Sequence, residues 1–145
     1  MKMKKHISSF FLFLTISFYG CSKKEIIKLP ITTSSQKALE YYMEAEKLLG
    51  LNIGEGPEIR TLLDSAINLD PNFAMALEMY PTSDQLLARE YEEKAKQLSD
   101  KITEAERKIL LIRESYRNGN MDKALASAMW LVENHGDSYE SYLML

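Results

Sequence analysis

The sequence predicts an all-α chain, an antiparallel helix-hairpin solenoid of about three helix pairs. From Ser35 onward apolar residues recur at helical spacings, and no strand-like alternation persists beyond a few residues. Breakers divide this region: Gly54, Gly56 and Pro57, then Pro71, Pro81, Asn118-Gly119-Asn120 and Gly136. Paired helices of about a dozen residues joined by short turns are what such a stack requires.

The first helix is expected over Gln36–Leu49, with Ala38, Tyr41 or Tyr42, Ala45, Leu48 and Leu49 on one face and Glu40, Glu44 and Lys47 opposite. Leu51–Pro57 ends it. The second, Glu58–Leu69, aligns Ile59, Leu62, Leu63, Ala66 and Leu69. Asp70 is a good N-cap and Pro71 suits a first helical position, so a short third helix is expected from Asn72 to Tyr80, stopped by Pro81. Thr82, Ser83 or Asp84 caps the fourth, which runs to about Leu98 through Leu87, Tyr91 and Ala95. Thr103-x-x-Glu106 is a capping box that opens the fifth helix, where Ile109, Ile112 and Tyr116 align beside Leu110 and Leu111. The sixth, Met121–Glu133, aligns Met121, Ala124, Leu125, Ala128, Leu131 and Val132, and a seventh is expected to begin at Ser138.

Several of these junctions resemble tetratricopeptide repeats. In Ser65–Leu77 a small residue, Ala66, and a proline, Pro71, stand five positions apart at a helix–turn–helix junction. Gly119 to Ala124 matches the family's glycine–polar turn followed by alanine, and Gly54 to Ile59 repeats that spacing with isoleucine in place of alanine. The unit Phe73–Asp100 departs most, because Pro81 truncates its first helix, and Asn134-His135-Gly136-Asp137 carries glycine where the family has proline. The resemblance covers most of residues 36–145 and implies a scaffold that binds a protein or peptide on its inner side. The family's register would place Glu106, Arg113 and Arg117 near that side, with Tyr116 beside them.

The amino terminus has a different character. Lys2, Lys4 and Lys5 precede an apolar run from Ile7 to Phe18, short of the roughly 20 residues that span a bilayer. A basic start with a short apolar stretch is the pattern of an export signal, expected over residues 1–20. It ends in Gly20 before Cys21, the only cysteine of the chain, so no intramolecular disulfide is available. This ending resembles a bacterial lipoprotein signal, with Phe18 where that family prefers leucine. The resemblance implies cleavage after Gly20, lipid attachment at Cys21 and a place in the bacterial cell envelope. Ser22 lacks the aspartate associated with inner-membrane retention, which favours the outer membrane. Residues 21–35 then read as the lipidated cysteine and a flexible tether, at most about 45 Å long when extended.

Chemistry is sparse in the remaining sequence. The 145 residues are 27% charged and 46% hydrophobic, with net charge −3. The leader holds three lysines and no acid, so the rest is more acidic than the whole, a poor footprint for nucleic acid. His135 is the only histidine outside the leader, too few ligands for an ordinary zinc site. No HExxH, P-loop or GxSxG motif is present, and no cofactor or metal is expected. Glu92 and Lys96 are spaced as an i,i+4 pair on a solvated face. Arg113 and Arg117, one turn apart, suit a carboxylate or phosphate; their simpler role is to solubilise a surface and oppose the helix dipole.

The resulting expectation is a non-catalytic, lipid-anchored envelope scaffold or adaptor. Its partners would be a protein or peptide and the membrane through Cys21; the apolar C-terminal helix, Tyr139–Leu145, implies either a repeat domain that continues in a longer protein or a further chain docked on that face. Two alternatives stand beside it: the recognition part of a longer enzyme or signalling protein, and a carrier of a small anion held by Arg113 and Arg117.

Overall fold

In a computed structural model of the chain, which describes residues 29–51 and 56–136, every regular element is helical among those residues. The leader, Cys21, residues 22–28 of the tether and the seventh helix lie outside the described residues. The helices are α1 (Gln36–Leu51), α2 (Gly56–Leu69), α3 (Ala74–Met79), α4 (Gln85–Gln97), α5 (Glu104–Arg117) and α6 (Met121–His135), with a 3₁₀ turn at Ser99–Lys101.

Most ends have a visible chemical cause. Ser35 caps α1, its hydroxyl accepting from the Ala38 amide at 3.2 Å. Pro57 falls in the first turn of α2, where its missing N–H is not needed. Of the three candidate caps for α4, Asp84 does the work, accepting from the amides of Leu86 and Leu87. The capping box of α5 forms as expected between Thr103 and Glu106. Asn118 and Gly119 close α5, with Gly119 at φ 69°, in the region that favours glycine. Asn120 caps α6 through the Lys123 amide.

The third helix departs most from expectation. It begins at Ala74, not Asn72, because Asp70 closes a turn rather than capping a helix. The Asp70 carbonyl accepts from the Phe73 amide at 3.0 Å, and its carboxylate accepts from the Asn72 amide at 3.1 Å. At the other end Tyr80 is extended, with ψ 115°, as the residue before Pro81 must be. Five of the six residues of α3 are buried. A helix apolar on nearly every side belongs at the centre, and α3 touches α2, α4 and α5.

Short connections make α1 and α2, α3 and α4, and α5 and α6 packed neighbours, giving helical hairpins in chain order. Tyr42, Leu63, Phe73, Met75, Ile109, Ile112 and Leu131 join five of the six helices in one apolar core. A second cluster, Ala74, Leu77, Ala95, Leu98 and Ile102, seats α4 and the 3₁₀ turn. Alanines at the crossings, including Ala38, Ala45, Ala66, Ala124 and Ala128, are almost fully buried and allow close helix approach.

The apolar stripes are wider than the faces that become covered. Leu49 near the end of α1 and Leu69 at the end of α2 are half-exposed. Tyr116 of α5 and Met121 and Leu125 of α6, expected in the core, are also half-exposed, and with Met129 the last two form a row four residues apart.

The tether expectation needs a correction at its carboxyl end. Leu29–Ser35 is packed on the helices: Leu29 is 5% exposed, and Thr32, Thr33 and Ser34 bond to side chains of α5 and of the α2–α3 turn. A Thr/Ser cluster is flexible only when water is its best partner. Here two buried carboxylates compete successfully with water.

Candidate binding site

A cleft of about 280 Å³ opens between α3, α4 and α5. Its floor is apolar, from Ala95, Leu110 and Leu111; its rim carries Glu78, Glu92, Lys96, Arg107, Glu114 and Arg117. Arg117 stands in the last turn of α5. One guanidinium nitrogen donates to Glu78 of α3 at 2.7 Å and the other to Glu92 of α4 at 3.0 Å. The Glu78 side chain is almost fully buried. Burial alone would lower the Arg117 pKa, but Glu78 and Glu92 outweigh it and hold the guanidinium charged. This arginine therefore pins three helices around the cleft. Lys96 crosses from α4 to Glu114 of α5 at 3.1 Å, an exposed pair of small energetic weight. Arg107 donates to the carbonyls of Ser99 and Ile102 at 3.1 and 2.9 Å and pairs with Glu104, fixing the 3₁₀ turn beside α5.

The four residues placed by register do not converge on one open surface. Arg117 reaches the cleft, already engaged by two carboxylates. Arg113, one turn earlier, is half-buried, does not line the cleft, and acts electrostatically on Tyr42 of α1. Burial, with a contribution from Glu46, raises the Tyr42 phenol well above its ordinary range. Tyr116 is half-exposed on α5. Glu106 is fully buried and faces no groove. Its carboxylate accepts from the Thr32 amide at 2.7 Å, the Thr32 hydroxyl at 2.6 Å, and the Thr103 amide and hydroxyl, both at 2.8 Å. Cys21 lies outside the described residues.

Sequence reasoning missed the partners that build the cleft. Glu92 and Lys96 were expected to pair with each other. Instead Glu92 goes to Arg117 and Lys96 to Glu114. Asp64 of α2 accepts from the Tyr80 hydroxyl at 2.8 Å. Burial, with the Asp64 carboxylate beside it, pushes the Tyr80 phenol up to about 12. Among the described residues no group of three or more His, Cys, Asp or Glu is placed to hold a metal ion. Nor is any helix among them long and apolar enough to cross a membrane.

Asp70 makes the second buried carboxylate site. Oδ2 accepts from the Thr33 hydroxyl and the Ser34 amide, each at 2.7 Å, while Oδ1 takes the Asn72 amide. Burial would raise its pKa, but these hydrogen bonds prevail and hold the carboxyl below its ordinary 3.8. A depressed folded-state pKa contributes stability above the unfolded value and loses it as pH falls through the folded one. Thermal midpoints measured from about pH 6 to about pH 2.5 should therefore fall more steeply in wild type than in Asp70→Asn below pH 3.8. Parallel acid limbs for the two proteins would show that Asp70 has no such role.

Compared with known proteins, the chain matches no family model, and no significant match appears among curated proteins or solved structures.

Proposed function

We propose that this protein is a non-catalytic interaction scaffold of helical hairpins, held to the bacterial cell envelope by a lipid on Cys21. Supporting the scaffold reading is the state of the charges around the cleft between α3, α4 and α5. Glu78, Glu92 and Glu114 are each engaged by Arg117 or Lys96. Alternating paired charges around an apolar floor suit recognition of another polypeptide, whose charged side chains can exchange partners with the rim while apolar ones fill the floor. The anchor is supported by the sequence alone, through Gly20-Cys21 after the basic and apolar leader.

Site-specific photocrosslinking in cells tests the scaffold. A photoreactive residue at Leu111, on the cleft floor, should give a discrete adduct, and one at Leu86, 79% exposed and outside the cleft, should not. The Leu111 adduct should disappear when Glu78 and Arg117 are both changed to alanine. No adduct at Leu111, or one indifferent to those changes, would defeat the reading. The anchor is tested separately: fatty-acid label should enter wild type and be lost in Cys21→Ala, and retained label would refute it.

A further inference from the structure

The segment Leu29–Ser35 crosses the amino-terminal end of α5, then the turn before α3, and finally caps α1. It is attached at two points by four hydrogen bonds: Thr32 gives its amide and hydroxyl to Glu106, and Thr33 and Ser34 give a hydroxyl and an amide to Asp70. Leu29 is buried in the main core and Ile31 packs against it. No residue of this strap belongs to a helix or sheet, so it lacks the cooperative backbone bonding that ties a regular element to the whole fold.

The two acceptors, in contrast, are positioned without the strap. Glu106 is held by the Thr103 amide and hydroxyl within its own helix start. Asp70 is held by Asn72 and by its backbone bonds to Ala66 and Phe73. Both therefore keep their place if the strap lifts, each with acceptor capacity to spare. Preorganised acceptors facing a donor segment that lies outside the helices have the character of a receptor and its ligand. The ligand pattern can be read off the strap: two apolar residues flanking a proline, then two hydroxyl side chains, then a backbone amide donor.

We propose that Asp70 and Glu106 form a cradle for such a segment, which Leu29–Ser35 fills as an intramolecular ligand and which a like segment of a partner protein enters when the strap is displaced. Tethering gives the strap an effective concentration on the order of millimolar, so the cradle is closed at rest and a partner enters only when the strap is loosened. The inference does not depend on acylation of Cys21 or on the cleft between α3, α4 and α5.

The test uses the full chain and a fluorescent peptide of sequence LPITTSS. The variant Thr32→Val/Thr33→Val removes the strap's hydroxyl donors and should bind the peptide about tenfold more tightly than wild type. Adding Glu106→Gln to that variant should weaken binding by about tenfold again. Absence of binding by the double variant, shown folded by its helical circular dichroism, overturns the proposal. Should the double variant fail to fold, amide exchange in wild type decides. The Thr32 and Ser34 amides should exchange at least about a hundredfold faster than those of Ile109 and Ile112. Equal protection would mean the strap leaves only when the whole protein unfolds, and the cradle would then be ordinary core.

Discussion

Phe73→Ala is expected to cost about 3–5 kcal/mol of folding stability. Phe73 has no exposed surface and sits where the chain turns from α2 into α3. Its ring lies 5.0 Å from that of Tyr42 in α1, tilted by 46°, within the range where aromatic pairs attract. Its backbone is equally committed: the amide donates to Asp70, and the carbonyl accepts from Ala76 and Leu77 at 3.1 Å each. Truncation to alanine leaves a cavity at the point where α1, α2 and α3 meet. Rigid backbone on both sides of position 73 prevents the site from collapsing to fill it. Single domains have only about 5–15 kcal/mol in reserve, so this change removes a large share. Urea unfolding followed by helical circular dichroism should show a lower midpoint with an unchanged slope, while Phe73→Leu should cost clearly less. A loss below about 1 kcal/mol for the alanine variant would place Phe73 outside the core.

Local patterns carried the helices, and long-range bonds decided what the sequence left unread. The period of the apolar residues located five of the six described helices, proline signals bracketed α3, and caps at Asp84, Thr103 and Asn120 follow from residues two or three positions away. Asp70 behaved otherwise. Asp-Pro-Asn reads as a helix start, but its carboxylate is drawn to Thr33 and Ser34, 37 and 36 residues earlier. Glu106 shows both cases in one side chain: its bonds to Thr103 are written in the capping box, while those to Thr32 span 74 residues and leave no local signal. The cleft was hidden for the same reason. Glu92 and Lys96 look like one solvated face by spacing, and only the approach of α5 to α4 redirects them to Arg117 and Glu114. Half-exposed Met121 and Leu125 mark the opposite error, since periodicity gives the width of an apolar stripe but not the area its neighbours cover.

Glu106→Ala is expected to destabilise the fold by about 3 kcal/mol, through polar groups left without partners rather than through lost volume. Four donors converge on this buried carboxylate, two from Thr32 and two from Thr103. Removing the acceptor strands all four, and each buried unsatisfied group costs about 1–3 kcal/mol. The costs do not sum, because the strap can lift and return the Thr32 donors to water at the expense of exposing Leu29. Glu106→Gln retains the shape and one acceptor oxygen, but turns an NH₂ group toward donors, so its loss should be intermediate. The combination with Thr32→Val separates these effects. If the strap hangs on Glu106, the two changes act on one interaction and their losses should fall short of additivity by about 1 kcal/mol or more in urea midpoints. Additivity to within about 0.5 kcal/mol would mean that Thr32 and Glu106 are energetically independent despite lying 2.6 Å apart. The strap would then be held by Leu29 and Asp70 alone, and Glu106 would serve only to start α5.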